Sequence, residues 1–380
     1  MNAKKTMGKY HCLGLFLIAA FSGYVIFNLR IFGLPQNTKK KLLLNQKGSP
    51  WPSTTNRGSL EAVDEVFLQD GDTFLRYVHP YNSSIIGKMT FKLKGRALET
   101  GKELIEDLVG EYKRKPVEME SVDVLPKLIP VSAISSNHFK ELMAHVTPAK
   151  KILPHRKMIV YDLGLSQQEI DHLKSTSHIE YRKFNFSRFP EYVKDLHTYA
   201  FKPLIIAEML AQFGGVLWMD ASVIFGRNYS YQFLLQRMVK QGSGFLFYLS
   251  DARKHHSILF ATHKHMFDYL PMKGEKEKKA NMPQATGMIL FNTKYVIKHV
   301  MKWVILCSLI EDCIAPKGAR LKCDFSSPDR YNRFGGCHRY DQSLFSIVVS
   351  NAYNDQPHMY RLNSGEYPAR VRKRVSNLVG

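Results

Sequence analysis

Apolar and polar positions in the middle of the chain repeat in two ways, one typical of β-strands and the other of α-helices. Short apolar runs alternate with stretches in which apolar residues recur three and four positions apart. The predicted elements are a strand over Leu128 to Ile134, a helix over Phe139 to Val146, a strand over Lys157 to Leu163, a helix over Gln167 to Leu173 capped by Ser166, a helix over Pro203 to Gln212, and a strand from Val216 to Trp218. This alternation predicts an α/β fold with a mostly parallel sheet and helices on both faces.

The N-terminal region carries one long apolar segment. Cys12 to Leu29 contains no charged residue, and about 20 such residues span a bilayer core, so the segment predicts a transmembrane anchor. A cleaved signal peptide is the rival interpretation. The anchor is favoured because the apolar run continues past any plausible cleavage site. Lysines and arginines flank the segment on both sides, so the charge rule alone does not fix its orientation.

The region between the anchor and the alternating pattern is less regular. Residues from about Phe32 to Ser59 are rich in Lys, Pro, Asn, Ser and Gly, which is typical of a flexible stem. Beyond the stem, Thr73 to Val78 alternates like a strand and Leu98 to Tyr112 has helical spacing. We therefore expect a membrane-proximal extension with some structure of its own.

Cysteines and glycosylation sequons favour a lumenal position for the bulk of the chain. Four cysteines fall within one short region: Cys307, Cys313, Cys323 and Cys337. An even, local set is typical of disulfides in an oxidising compartment, with the pairing left open, whereas the spacing lacks the CxxC doublets of structural zinc sites. Sequons for N-glycosylation follow the anchor at Asn82, Asn185 and Asn228. Together these features predict a type II membrane protein of the secretory pathway.

Charge adds a preference for anionic partners. Lys and Arg outnumber Asp and Glu by 54 to 33, which gives a formal net charge of +21. Such an excess suits nucleotide diphosphates, acidic glycans or anionic lipid headgroups. No signature of a nucleic-acid-binding module is present in the sequence, so we expect no nucleic-acid partner.

Two aspartates end predicted strands, where the ligands of parallel sheets bind. Asp220 follows the apolar strand of Gly214 to Phe225, and a carboxylate there can bind a ribose hydroxyl or a divalent cation that carries a diphosphate. A turn aspartate between two strands is an equally good interpretation of Asp220. Asp162 ends the strand KMIVYDL and could face a nucleotide, although strand-end turns use such residues routinely.

Three ordered motifs resemble the glycosyltransferases of the GT-A fold. The order of helix, Gly-Gly turn, apolar strand and acidic motif runs from Lys202 to Ser222 and resembles the approach to their Asp-x-Asp motif. TGMILFN, at 286–292, resembles the strand that lines the sugar pocket, and HRYDQS, at 338–343, resembles a late element near the reaction centre. YDLGLS, YAFKPLII, LWMDASV and GCHRYDQS look like the signature of an animal family of type II membrane proteins without known function, over roughly 129–360.

The resemblance implies a nucleotide-diphospho-sugar transferase fold behind one N-terminal transmembrane helix. The expected segments are a cytoplasmic tail at 1–10, the signal-anchor at 11–32, the stem and extension at 33–120, the GT-A-like lumenal domain at 121–370, and a basic tail at 371–380. The implied function is transfer of a sugar from a nucleotide-sugar donor to a glycan or glycoprotein acceptor in the Golgi membrane. The alternatives are a catalytically inactive domain that binds acidic glycans and, for location, secretion or the cell surface.

The resemblance also assigns site residues. Asp341 is the candidate catalytic carboxylate, which either deprotonates the acceptor hydroxyl or stabilises charge at the anomeric carbon, and Gln342 could bind a sugar hydroxyl. A helix cap is the other interpretation of Asp341. The residues expected to bind the nucleotide sugar are Asp220, Ser222, Lys202, Asp162, Gly287 and His338.

One departure from the family pattern puts the metal in doubt. Ser222 stands where the second aspartate of the motif, the usual manganese ligand, would be, and a neutral hydroxyl is a poor ligand for a hard cation. Either Asp220 holds Mn²⁺ or Mg²⁺ with help from another residue such as His358, or the enzyme is metal-independent. In the second case Lys202 or Arg339 would neutralise the departing diphosphate. A third possibility is binding without turnover.

Overall fold

The structure is a computed structural model that describes residues 73–109, 116–126, 128–152, 156–225, 231–249, 256–362, 366 and 369–371. The predicted cytoplasmic tail, anchor and stem, the sequon at Asn228 and residues 372–380 lie outside the described residues. Among the helices that are described, none has the length and apolar character that a membrane span requires.

Strands and helices follow one another in an irregular alternation. The strands are β1 (Thr73–His79), β2 (Asn82–Leu93), β3 (Ile129–Ile134), β4 (Met158–Asp162), β5 (Ile179–Lys183), β6 (Gly215–Met219), β7 (Val223–Phe225), β8 (Phe245–Phe247), β9 (Gly287–Phe291) and β10 (Ala369–Val371). The helices are α1 (Gly95–Val109), α2 (Phe139–Ile152), α3 (Gln167–Ser175), α4 (Phe201–Phe213), α5 (Tyr231–Gln241), α6 (Met266–Tyr269), α7 (Glu275–Lys278), α8 (Lys294–Val296), α9 (Lys302–Ser308), α10 (Glu311–Ile314), α11 (Asp341–Ala352) and α12 (Pro357–Tyr360), and a π-helical turn over Ile297–Met301 joins α8 to α9.

A six-stranded sheet with the order β5-β4-β3-β6-β9-β8 forms the centre of the fold. β3, β4, β5 and β6 pair in parallel, while β9 runs antiparallel to both of its neighbours. The α/β fold with a mostly parallel sheet flanked by helices is therefore confirmed. Because β3, β4 and β6 run in one direction, their carboxyl ends meet at the same edge of the sheet.

The central strands are almost entirely apolar because both faces of the sheet are covered. Every residue of β4, β6 and β9 is buried. Helix α4 is also apolar nearly all round, as expected of a helix inside the core. It ends at Gly214, whose φ of 75° lies in the left-handed region that favours glycine, and whose N–H bonds the carbonyl of Leu210. The predicted helix is confirmed, with its first turn beginning earlier, at Phe201.

The extension before the sheet contains a hairpin and a helix. β1 and β2 pair antiparallel, and the predicted strand at Thr73 to Val78 is confirmed. Near the other end of the chain, β10 pairs antiparallel with β7, which begins three residues after Asp220. Val371, the first residue of the predicted basic tail, is the last residue of β10.

Two disulfides lie within the described residues, so the prediction of disulfides in place of zinc is confirmed. Cys307 pairs with Cys313, and Cys323 pairs with Cys337. The second bond closes a loop with a sequence separation of 14 residues. Closing a loop of this length stabilises a fold by about 3 kcal/mol in the chain-entropy account. It holds the chain immediately before α11.

Candidate functional site

A cavity of about 540 Å³ opens at the edge of the sheet where the strands β3, β4 and β6 end. Cavities of this size hold small-molecule ligands and cofactors in many proteins. Its lining includes Ile134, Ser135, Asn137, Leu163, Tyr199, Lys202, Trp218, Asp220, Ser222 and Leu321. The cavity thus lies where ligands bind in open α/β sheets.

Lys202, Asp220 and Asp341 form a group of charges at the wall of this cavity, here called the Lys202 cluster. The Nζ atom of Lys202 lies 2.6 Å from Asp341 Oδ2 and 3.0 Å from Asp220 Oδ1. It also donates a hydrogen bond of 3.2 Å to the carbonyl of Ala285. The side chains of Lys202 and Asp341 are 4% and 7% exposed, whereas that of Asp220 is 28% exposed. Asp220 is therefore the carboxylate of the cluster that solvent or a ligand reaches best.

Three separate elements bring these charges together. Lys202 belongs to the first turn of α4, Asp220 follows the last residue of β6, and Asp341 begins α11. Pro203 is tolerated beside Lys202 because the first turn of a helix has no use for its missing N–H. The packing of an apolar helix against an apolar strand fixes the lysine where water is scarce.

Trp218 holds Asp220 from the side of the strand. Its Nε1 donates a hydrogen bond of 2.8 Å to Asp220 Oδ1, and Lys202 Nζ lies 5.6 Å from the centre of its ring. Tyr248 in turn donates to the carbonyl of Trp218 at 2.9 Å. Residues two apart on a strand face the same side, which explains why Trp218 and Asp220 meet.

The electrostatics of the cluster keep the lysine charged. Burial alone would lower the pKa of Lys202, but the two carboxylates outweigh it and the net pKa is raised. Burial raises the pKa of Asp341, Asp220 adds to this rise, and Lys202 acts against it. A buried ammonium between two aspartates is accordingly the state that the surroundings of Lys202 favour.

Two tyrosines with unusual backbone angles flank the cluster. Tyr199, three residues before Lys202, has a φ of 53°, and Tyr340, directly before Asp341, has a φ of 43°. Their rings lie 6.0 Å apart. Non-glycine residues rarely adopt positive φ, and such strain concentrates at functional sites.

Several predicted site residues meet at the cavity. Lys202, Asp220 and Ser222 line it, and Asp341 lies directly behind Lys202. Gln342 is next to Asp341, but its Nε2 donates to the carbonyl of Pro283 at 2.9 Å. The role of each as a ligand-binding or catalytic residue stays a prediction.

Asp162, predicted to face the nucleotide, has both carboxylate oxygens in hydrogen bonds, one with its own turn and one with β5. Oδ1 accepts hydrogen bonds from the N–H groups of Gly164 and Leu165 at 2.7 and 2.8 Å, and Oδ2 accepts one from Tyr181 at 2.8 Å. Asp162 therefore stabilises the turn at the end of its strand, which was the other interpretation of this residue. An aspartate side chain readily accepts hydrogen bonds from the backbone N–H groups that follow it.

Gly287, predicted to bind the nucleotide sugar, is buried in β9 opposite Met219. A Cβ atom there would lie 2.5 Å from a methyl carbon of Leu249 and 2.7 Å from the ring of Tyr248. The absence of a side chain is thus explained by close packing between neighbouring segments.

His338, also predicted to bind the nucleotide sugar, is fully buried and both of its ring nitrogens are used. Nδ1 accepts from the N–H of His263 at 3.1 Å, so Nε2 carries the proton and donates to the carbonyl of Ile314 at 3.0 Å. Burial lowers the pKa of His338 to about 3, against the effect of the bond to Ile314. This neutral imidazole connects three segments of backbone and presents no free ring nitrogen to a ligand.

The residues around Asp220 do not fit a divalent cation. Among the described residues, no group of three or more His, Cys, Asp or Glu side chains converges as a metal site would require. Asp220 Oδ1 is engaged by Lys202 and Trp218, and Ser222 brings no charge. His358, considered as a helper, belongs to α12, where its carbonyl accepts a hydrogen bond from Gln241.

Some residues of the cavity were missed from the sequence. Trp218 could have been found, because its spacing of two from Asp220 places both side chains on one face of a strand. His138 and Glu141 also line the cavity and interact with each other at 2.7 Å. His138 directly precedes α2 and Glu141 lies in its first turn, and nothing in the apolar pattern distinguishes them from other polar positions.

Comparisons with known proteins give one family match and several partial structural likenesses. Residues 72–207 match the family described as "Protein of unknown function (DUF1647)". The match contains Lys202 and ends before Asp220 and Asp341. No curated protein matches the chain.

Three solved structures that resemble part of the chain are described as glycosyltransferases. Galactosyltransferase LgtC, in complex with donor and acceptor sugar analogues, is 15% identical in sequence. The match covers 62% of this chain and 74% of the LgtC chain, with a TM-score of 0.33. The mannosyltransferase Ktr4p from S. cerevisiae is 9% identical, with 66% and 74% covered and a TM-score of 0.36. Mouse xyloside xylosyltransferase 1 in its apo form is 10% identical, with 62% and 84% covered and a TM-score of 0.34.

Proposed function

We propose that the protein transfers a sugar from a nucleotide-sugar donor to a hydroxyl group of a glycan or glycoprotein. The observation that carries the proposal is the Lys202 cluster at the wall of a 540 Å³ cavity outside the carboxyl ends of parallel strands. A charged, nearly buried ammonium at this position is suited to the diphosphate of a donor.

The cavity wall offers partners for the other parts of such a donor. Aromatic side chains at Tyr199, Phe201 and Trp218 can stack on a base or a sugar ring. Ser135 and Asn137 offer hydroxyl and amide groups that can bind ribose hydroxyls. The combination of aromatic faces, a few polar groups and one fixed cation is typical of a small-molecule site.

The proposed reaction exchanges one bond at the anomeric carbon for another. The bond between that carbon and the phosphate oxygen breaks, and its electron pair leaves with the nucleoside diphosphate. A bond from the acceptor hydroxyl oxygen forms, and the hydroxyl proton passes to a base. Lys202 stabilises the charge on the departing diphosphate, Asp341 positions Lys202, and Asp220, the more exposed carboxylate, faces the sugar.

We further propose that this reaction takes place in the Golgi, with the protein anchored by residues 11–32. The two disulfides support an oxidising compartment. Of the predicted glycosylation sites, Asn185 is exposed and Asn82 is half-buried at the start of β2, so both are compatible with attached glycans. The location and the anchor are tested by detecting glycosidase-sensitive glycans on the full chain and by imaging it in cells.

The test of the proposed function is a thermal-shift and turnover experiment on the full chain purified in detergent. Each common nucleoside diphosphate and nucleotide sugar is added with Mn²⁺, with Mg²⁺ or with EDTA. A ligand at 100 times its Kd stabilises the folded state by about 2.7 kcal/mol, which raises the Tm by several degrees. We expect the nucleoside diphosphates of one base to give this shift, and a nucleotide sugar with the same base to be consumed.

Two variants separate the proposed site from the rest of the protein. Asp220→Asn keeps the shape of the side chain and removes its charge, so we expect turnover to fall by about 100-fold while the protein stays folded. Asp268→Asn is the control, because Asp268 is another ion-paired aspartate and belongs to a surface group. The proposal fails if no nucleotide or nucleotide sugar shifts the Tm in any of the three conditions.

A domain that binds acidic glycans without turnover is the second candidate, and the net charge of +21 favours it. It predicts binding to heparin that weakens strongly with salt and is unchanged in Asp220→Asn. Heparin binding without any consumption of a donor would replace the transferase proposal by this one.

A further inference from the structure

The Lys202 cluster has a second basic side chain at its edge. Arg339 lies two residues before Asp341, the first residue of α11. Burial lowers the pKa of its guanidinium, and the charges of Tyr199 and Asp341 act against that shift. The side chain is only partly exposed, and its backbone N–H is fixed by the carbonyl of Ala261 at 3.0 Å.

The charges of these four side chains balance. Asp220 and Asp341 together carry two negative charges, and Lys202 and Arg339 together carry two positive charges. A divalent cation between the same two aspartates would give the same sum. The arrangement therefore matches in total charge what a metal-dependent site achieves with one ion.

The position of the Lys202 ammonium matters as much as its charge. Its Nζ contacts one oxygen of each aspartate, at 2.6 and 3.0 Å. A metal ion bridging the two carboxylates would need the space in which this ammonium lies. Lys202 is held there by the buried helix α4 and by the carbonyl of Ala285, so it is a fixed part of the site.

We propose that Lys202 and Arg339 are a built-in replacement for the divalent cation, so that the protein binds a nucleoside diphosphate without any metal ion. This inference rests on the proposed function, since it specifies how the same site holds the diphosphate of the donor. Lys202 supplies the fixed charge at the wall of the cavity. Arg339 has the longer reach and planar donors that can bind two phosphate oxygens at once.

The first experiment needs no variant. The affinity of the full chain in detergent is measured for UDP, GDP, CDP and ADP by calorimetry, first in EDTA and then with Mn²⁺ or Mg²⁺. We expect the affinity for the preferred diphosphate to change by less than about threefold between these conditions. Affinity that appears only when a divalent cation is present would overturn the inference and leave the proposed function standing.

The second experiment asks whether the ammonium occupies the place of a cation. Lys202→Ala leaves Asp220 and Asp341 facing the space that Nζ filled, and two carboxylates attract a hard cation. Mn²⁺ alone is added, and its binding is followed by electron paramagnetic resonance. We expect Lys202→Ala to bind one Mn²⁺ per chain, and the unchanged protein to bind none at the same concentration. Lys194→Ala, which removes a surface lysine paired with Glu191, is the control and should behave like the unchanged protein.

A third variant keeps the inference testable if Lys202→Ala does not fold. Arg339→Gln removes the second charge from the edge of the cluster, where a neutral side chain can be accommodated. We expect the affinity for the preferred diphosphate to fall about tenfold or more in EDTA, since a charge-assisted bond to phosphate is lost. Unchanged affinity in Arg339→Gln, or a folded Lys202→Ala protein that binds no Mn²⁺, would contradict the replacement of a metal by these two residues.

The outcomes also distinguish this inference from the proposed function. If no diphosphate binds in any condition, the proposed function itself fails. If a diphosphate binds equally well with and without a divalent cation, and Arg339→Gln weakens that binding, both stand together.

Discussion

Two regions of the molecule place a basic side chain between two aspartates. In the Lys202 cluster the ammonium contacts Asp220 and Asp341, as described above. Before α6, the imidazole of His265 contacts Asp268 through Nδ1 at 3.1 Å and Asp312 through Nε2 at 2.7 Å. The contacts are alike in length, but the side chains of His265 and Asp312 are 28% and 49% exposed, whereas those of Lys202 and Asp341 are nearly buried.

The comparison shows how burial changes what the same arrangement does. In both regions burial alone would lower the pKa of the basic group, and the two carboxylates outweigh it, so the pKa is raised. Around His265, water can replace a partner that is lost and can screen those that remain. Around Lys202 it cannot, because losing one partner there leaves an uncompensated buried charge. The buried group is therefore fixed in place, as a binding site requires, while the exposed group is an adjustable surface contact.

The largest effect is expected from Lys202→Met. This change removes the ammonium, keeps the apolar stem, and leaves Asp220 and Asp341 without their shared cation. Breaking a buried ion pair in this way costs about 3–5 kcal/mol of the free energy of unfolding. Denaturant unfolding of the full chain at neutral pH measures the difference.

Lys194→Met is the matched control for this prediction, since it removes a lysine from an exposed pair with Glu191. We expect it to change the free energy of unfolding by less than about 1 kcal/mol. Equal losses in the two variants would show that burial does not distinguish the Lys202 cluster from a surface ion pair.

Lowering the pH is expected to have an intermediate effect on the free energy of unfolding, to which two histidines contribute in opposite directions. The pKa of buried His338 is lowered to about 3, so its neutral form stabilises the fold at neutral pH. This stabilisation is lost as the pH falls below the ordinary value of about 6.5, at a rate of up to about 1.4 kcal/mol per pH unit. By pH 5 the loss reaches about 2 kcal/mol. His265, whose pKa is raised, contributes in the opposite direction, because its stabilisation grows as the pH falls and disappears as the pH rises.

His338→Gln tests this assignment, because an amide can accept from the N–H of His263 and donate to the carbonyl of Ile314 without titrating. We expect the free energy of unfolding to fall less steeply between pH 6.5 and pH 5 in this variant than in the unchanged protein. Some slope remains, because burial also lowers the pKa of His299, to about 4. An unchanged slope would mean that His338 does not titrate as its burial indicates.

The sequence predicted the strands and helices better than the arrangement of the charged side chains. The strand KMIVYDL and the helix capped by Ser166 follow from local patterns, and the cap is present, with Ser166 accepting a bond from the N–H of Glu169. These features depend on neighbours in the chain, which the pattern of residues records. The short strand β8 and the reversed direction of β9 were not predicted, because an apolar run carries no information about which strand it pairs with.

Three of the predicted site residues lie together in the structure, but the sequence did not predict how they meet, and their roles stay predictions. Lys202, Asp220 and Asp341 were all candidates, but their meeting depends on how a helix and a strand pack against a second, distant helix. The hydrophobic periodicity of the sequence does not indicate such a contact. The same limit applies to Asp162 and His338, because the sequence does not show the backbone groups with which their side chains form hydrogen bonds. The positive φ angles of Tyr199 and Tyr340 could not be predicted from the residue type, since tyrosine does not favour such angles.

The smallest effect is expected from His265→Gln, which breaks the exposed member of the comparison. Glutamine can still donate to one aspartate, and the other becomes solvated, so we expect a loss of less than about 1 kcal/mol at pH 6 and low salt. Because the interaction is partly charged at that pH and exposed to solvent, the loss should shrink toward zero in about 1 M salt, where the Debye length is about 3 Å. Denaturant unfolding at the two salt concentrations measures it. A loss that persists in high salt would place His265 with Lys202 as a structurally fixed cation, and burial would no longer explain the difference between the two regions.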